Sequence, residues 1–243
     1  MNRIVDLEKL KTICTPHPLG NGCTLWLRPG GLPVRDVVKP NALNRTLRVP
    51  SFKAGRNVHV EGDLNEGLAV HKFDADIEVL DVIEQPEVLE VPGPKGSPVH
   101  ILPDFILAWV GDRHSRIEVK SAMTLIKHPS LVDSLRWKKA AYRACGFDYR
   151  IVVPNTLDKP VYWRNVEILA AKRFHRPHLD DVDRIRLHLA QHEGSTLGAC
   201  AALVRHDAGD PFDTVLAMQP RRLLSLDLSR PLSARSRVRF VMS

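Results

Sequence analysis

Between Val79 and Val119, five short apolar runs follow one another: Val79–Ile83, Glu87–Val91, Val99–Leu102, Phe105–Val110 and Arg116–Val119. Apolar runs of this length, rich in β-branched residues, read as strands. Turn-forming residues separate them. Pro92-Gly93-Pro94-Lys95-Gly96-Ser97-Pro98 interrupts one pair and Gly111-Asp112 another. Proline cannot donate to a ladder, and glycine adopts backbone angles that other residues avoid. The short turns predict an antiparallel meander. A helix over about Ser130–Cys145, closed by Gly146, comes next, followed by a strand at Tyr149–Val153 that Pro154 ends. A helix and a further strand after the meander require a mixed sheet and exclude a pure β sandwich. The expected fold class is α/β.

The flanks are read from caps and periodicity. Asp63 stands as an N-cap with Glu66 three residues on, the capping-box spacing, and Leu64, Leu68 and Phe73 supply an apolar face. Residues 1–50 are rich in Pro, Gly and Arg and read as an irregular arm, with Thr24–Arg28 a candidate strand. Beyond residue 155, Val161–Arg173 reads as a connecting helix. Asp180–Glu193 follows with Asp180 as its cap, then Ser195–Val204, then a helix opened by Asp210-Pro211. Two strand-like runs, Leu223–Leu228 and Arg237–Val241, close the chain. Three helices and a hairpin are the order of a winged helix-turn-helix. The expected division is an arm at 1–50, a sheet domain at 51–158 and a winged-helix-like domain at 159–243.

The chain has 243 residues, a formal charge of +7 and four cysteines. Its length suits one large domain or two modest ones. The basic excess is compatible with a nucleic-acid partner. No C-x-x-C pair occurs, so the cysteines read as reduced thiols in a cytoplasmic protein. Met1–Glu8 lacks the apolar run of a signal peptide, and no stretch approaches a membrane span, so no membrane partner is expected.

The chemistry concentrates at Asp104 and at Glu118-Val119-Lys120. Strand side chains alternate faces, so Glu118 and Lys120 point the same way. With Asp104 on the neighbouring strand, two carboxylates and an ammonium converge. Oxygen donors of this kind hold Mg²⁺, with Mn²⁺ as a substitute, beside a phosphodiester. Asp104, Glu118 and the Val119 carbonyl are the expected metal ligands, Glu66 a third carboxylate with Glu61 as the alternative, and Lys120 the residue that orients the attacking water or stabilises the phosphorane. Lys127, in a loop after the cluster, and Arg136, Lys138, Lys139 and Arg143, on the helix that follows, are read as DNA-phosphate contacts. His188 and His192, four apart, read as a surface pair. Arg221, Arg222, Arg230, Arg235, Arg237 and Arg239 form a basic stripe around the proposed wing, for DNA or protein.

Pro103-Asp104 followed by Glu118-Val119-Lys120, with a helical glutamate upstream, is the pattern of the PD-(D/E)xK nuclease superfamily. Within it the chain resembles the TnsA-type transposon endonucleases. Pro50-Ser51-Phe52-Lys53, Glu66 in Leu-Asn-Glu-Gly, Glu84-Gln85-Pro86, Leu102-Pro103-Asp104-Phe105, Ile117-Glu118-Val119-Lys120 and Ala144-Cys145-Gly146-Phe147-Asp148-Tyr149 carry the resemblance. Leu226-Asp227-Leu228 and Pro231-Leu232-Ser233 extend it, so that it covers about residues 50–243. It implies a restriction-endonuclease-like mixed sheet flanked by helices, then a C-terminal winged-helix-like domain. It also implies a Mg²⁺-dependent endonuclease that cuts the 5′ strand at double-stranded transposon ends. Its implied partners are a DDE transposase subunit and an AAA+ ATPase regulator. Glu66, Asp104 and Lys120 map to the catalytic positions, with Glu118 as the partner of Lys120. Two other readings stand beside it: another PD-(D/E)xK nuclease for restriction, repair or junction resolution, and a catalytically silent DNA- or protein-binding adaptor.

Overall fold

The computed structural model describes residues 7–34, 46–61, 64–93, 96–206 and 209–241. Among them the chain is mixed α/β, with eight α-helices and twelve strands, several in antiparallel sheets. The expected N-cap Asp63, part of the N-terminal arm (residues 1–6 and 35–45) and Pro94-Lys95 of the proline-rich turn lie outside the described residues. The chain divides into two units. The first gathers Met1–Pro50, Asn57–Ala69 and Leu80–Pro154, the second Ser51–Arg56, Val70–Val79 and Asn155–Ser243.

In the first unit, residues 7–34 are not an irregular arm. α1 (Leu7–Ile13) precedes a hairpin of β1 (Thr15–Gly20) and β2 (Cys23–Leu27). Its turn uses Gly20, Asn21 and Gly22, all at positive φ, which tolerates few other residue types. β3 (Thr46–Ser51) and β4 (Arg56–Glu61) form a two-stranded ribbon, and α2 (Leu64–Ala75) follows. The expected meander occurs as two sheets. β5 (Val79–Glu84) does not join β6 (Glu87–Val91), because Gln85 at φ 40° and Pro86 turn a corner between them. β6 joins β2 and β7 (Val99–Ile101) in the order β1-β2-β6-β7. Alternation buries β6 on both faces. Leu89 and Val91 pack with Leu25 and Ile101, whereas Val88 packs with Leu10, Cys14, Val34 and Leu102. Residues 10–34 are therefore folded because they cover β6.

β8 (Phe105–Trp109) and β9 (Arg113–Val119) are antiparallel around Gly111-Asp112, and β5 joins β8. After β9 comes α3 (Ala122–Lys127), in a segment read as a loop. Its local signal was present: the Ser121 hydroxyl accepts from the Thr124 N–H at 2.9 Å, an N-cap. α4 (Ser130–Ala144) ends at Gly146, where φ is +80°, and returns the chain to β10 (Asp148–Val152). β10 lies parallel to β9, as a helical crossover requires. The mixed sheet is borne out, in the order β10-β9-β8-β5.

The second unit contains α5 (Pro160–Lys172), α6 (Leu179–Gln191), α7 (Leu197–Ala201) and α8 (Pro211–Met218). The antiparallel pair β11 (Leu224–Leu226) and β12 (Val238–Phe240) completes it. Asp210 caps α8 as expected, its carboxylate accepting from the Phe212 N–H at 3.0 Å. The cap of α6 is His178 rather than Asp180, through its imidazole. Val182, Ile185 and Leu189 give α6 one buried stripe at helical spacing. Buried Asp74 explains why Ser51–Arg56 groups here and not with the sheet. Its carboxylate accepts from the Ser51 hydroxyl at 2.7 Å and from the N–H groups of Phe52 and Lys53 at 3.0 and 3.2 Å. Among the described residues, no helix is long and apolar enough to cross a membrane.

Candidate active site

The β8–β9 register pairs Phe105 with Ile117 and Ile106 with Arg116. The register ends there, and Asp104 precedes β8 in a bend. Asp104 is held there by its backbone: its N–H donates to Ile117 O at 2.8 Å, and its carbonyl accepts from the Gln85 N–H at 2.9 Å. The Gln85-Pro86 corner thus supports Asp104 directly, a role that the sequence order alone did not reveal.

Asp104 and Glu118 are buried, at 2% and 3% exposure. Unpaired carboxylates are costly in such a place, and the structure compensates both. Lys120 Nζ lies 2.6 Å from Glu118 Oε1 and 3.7 Å from Asp104 Oδ2. The same ammonium donates to Val119 O at 2.9 Å, and the Val119 N–H donates to Asp104 Oδ2 at 2.7 Å. Lys138 Nζ, from α4, donates to Glu118 Oε1 at 3.1 Å. The Tyr149 hydroxyl, from β10, donates to Glu118 Oε2 at 3.0 Å. Burial, with the Glu118 carboxylate beside it, pushes the Tyr149 hydroxyl far above its ordinary pKa, so it remains a donor. Two carboxylates thus face two ammonium groups.

The other expected residues fall in different places. Lys138 turns inward to Glu118 instead of facing a phosphate, because a buried carboxylate lies within reach of its stem. Lys127 is exposed in the last turn of α3, not in a loop. Arg136 is exposed and paired with Asp133 at 3.1 Å, Lys139 is half-buried and Arg143 exposed. Glu66 is buried, and its carboxylate accepts from the Glu61 N–H at 2.8 Å. Among the described residues, Glu66, Asp104 and Glu118 do not bring three carboxylate oxygens within 4.8 Å of one another. Only one group of His, Cys, Asp and Glu meets that condition there, the exposed set His178, Asp180 and His206 of the second unit. His188 and His192 stack at 4.5 Å between ring centroids; His192 is exposed, and half-buried His188 lies 2.8 Å from the Ser195 hydroxyl.

Sequence reasoning missed a second buried ion pair beside this cluster. Arg116 shares a face of β9 with Glu118 and makes a two-pronged contact with Glu87 of β6, at 2.9 and 3.0 Å. The Phe147 ring covers its guanidinium at 3.9 Å. The available signal was the same alternation that linked Glu118 with Lys120.

The donors at the cluster are all hard oxygens: two carboxylates and the Val119 carbonyl. Such a set suits Mg²⁺ and is poor for soft metals. The arrangement presents two carboxylates and a carbonyl with an ammonium beside them. Lys120 is half-buried, with 18% of its side chain exposed. No protein-family model matches the chain, and no curated protein matches it.

Proposed function

We propose that this chain is a Mg²⁺-dependent DNA endonuclease of the PD-(D/E)xK type. In this reading its first unit is a restriction-endonuclease-like core and its second a winged-helix-like module. The single observation that carries the proposal is the convergence of Asp104, Glu118 and Lys120 at one end of an antiparallel strand pair. The resemblance narrows it to cleavage of the 5′ strand at transposon ends, within a heteromeric transposase that includes a DDE subunit and an AAA+ regulator.

Asp104, Glu118 and the Val119 carbonyl are the groups that would hold the cation, with Glu66 as a further carboxylate. Bound Mg²⁺ supplies an acidified water and charge stabilisation at the phosphate. Lys120 orients the water and stabilises charge growing on phosphorus-bound oxygen. An ammonium suits that work, being a compact charge with three donors. Lys138 and Tyr149 hold Glu118 in place, so that one carboxylate orientation is ready before substrate arrives.

Calorimetric Mn²⁺ titration and strand cleavage, each with Asp104→Ala, test the proposal. The variant is expected to keep its fold, lose metal binding and lose cleavage by a factor of about 10³ or more, the scale of removing a transition-state electrostatic group. Cleavage at the normal rate by that variant would remove the site.

A further inference from the structure

The stripe of six arginines expected from the sequence divides in two. Arg221 is spent on structure: it donates to Ala217 O, Arg173 O and His175 O, and its guanidinium covers the Phe52 ring at 4.5 Å. Arg222 donates to Ile77 O at 2.8 Å. Arg230, Arg235, Arg237 and Arg239 instead line one cleft of about 600 Å³ at the β11–β12 pair. All four are exposed. Arg230 lies 3.9 Å from Asp227, the one carboxylate lining the cleft, and the other three form no ion pair among the described residues.

The cleft is built rather than incidental. Val238 is buried between Arg237 and Arg239, so those two share the outward face with Ser225, which pairs with Arg239 across the ladder. The connecting loop is clamped from two sides. Asn165 donates to Leu228 O at 3.0 Å and to Arg230 O at 2.7 Å. The N–H groups of Leu197 and Gly198 donate to Ser236 O and Ala234 O, both at 2.8 Å. A Cβ at Gly198 would lie 3.0 Å from Ala234 O, so glycine permits this close approach. The loop therefore presents its arginines without a large ordering cost at binding.

We propose that this cleft binds the phosphodiester backbone of duplex DNA. Guanidinium forks match phosphate oxygens in pairs. Four arginines offer about twenty N–H donors, more than one phosphate can accept, and a run of phosphates satisfies them. The inference rests on the reading of the chain as acting on DNA. It assigns backbone grip to this cleft and leaves base readout elsewhere, since α8 has no Arg, Lys, Asn or Gln.

The test is fluorescence anisotropy of a labelled short duplex with the full-length protein in EDTA, across a salt series. It compares wild type with Arg235→Ala/Arg237→Ala/Arg239→Ala, and with the same three positions changed to Lys as a folded, charge-preserving control. The alanine variant is expected to flatten the slope of log K against log salt by about 2.7, three phosphate contacts at about 0.9 each. The lysine variant is expected to keep most of the slope. An alanine variant that binds with the affinity and slope of wild type overturns the proposal, as does a wild type without salt-dependent DNA binding. Loss of binding to polyglutamate with DNA binding intact overturns it in favour of an acidic protein partner. Intact, arginine-dependent binding without cleavage by wild type, its transposase partner included, would refute the nuclease reading and leave the cleft standing.

Discussion

β9 and the segment leading into β12 both carry charged residues at alternating positions, and the two fare differently. On β9, Arg116 and Glu118 turn into the first unit and each meets an opposite charge from a neighbouring element, and the following Lys120 pairs with Glu118 and Asp104. Around β12, Arg235, Arg237 and Arg239 stay in solvent. Alternation assigns a face; what packs against that face decides whether the charge becomes structural or available. A buried charge needs a partner within the protein, whereas an exposed row can wait for one outside.

Substituting one arginine from each row separates the buried charge from the exposed one most strongly. Arg116→Met leaves Glu87 buried without its cation and is expected to cost about 3–5 kcal/mol in urea unfolding. Arg237→Ala is expected to stay within about 0.5 kcal/mol, as exposed substitutions do. Equal costs would show that burial does not separate the two rows.

A half-buried lysine in the second unit stands between these cases. Lys53 donates to Asp76 O and Val79 O, and burial lowers its ammonium from 10.5 to about 8. Here the folded state holds its proton less tightly than the unfolded state. The charged form therefore costs stability below about pH 8, and that cost is relieved as pH rises from about 8 toward 10.5. Wild type is expected to gain on the order of 3 kcal/mol over that window relative to Lys53→Met. Parallel pH profiles for the two proteins would count against the shift.

The smallest expected effect concerns the clamp on the arginine loop. Asn165→Ala removes the donors to Leu228 O and Arg230 O and is expected to cost about 1–2 kcal/mol. It should also weaken duplex binding more than stability, because the loop would then be ordered only on binding. Unchanged binding would mean that the cleft holds its shape without Asn165.

Element existence was largely legible in the sequence, because local signals set it. The Asp210-Pro211 start of α8 and the glycine at the end of α4 each act within a few residues. So did the alternation that joined Glu118 to Lys120. Pairing was less legible. The corner at Gln85-Pro86, which splits the expected meander into two sheets, depends on a positive φ and on Asp104 accepting its hydrogen bond. The folding of residues 7–34 was hidden because their apolar residues are few and irregular; it follows from the second face of β6, which must be covered.

Residue order alone supplied the groups available for chemistry: an aspartate before one strand, Glu-x-Lys on the next, and arginines bracketing a turn. Packing in three dimensions set how each was employed. It turned Lys138 toward Glu118, spent Arg221 and Arg222 on backbone carbonyls, and left Arg230, Arg235, Arg237 and Arg239 around a cleft. The reason is that a local pattern specifies only direction from the backbone. Whether a charge is desolvated depends on segments far away in the chain, and desolvation sets whether it must find its partner inside.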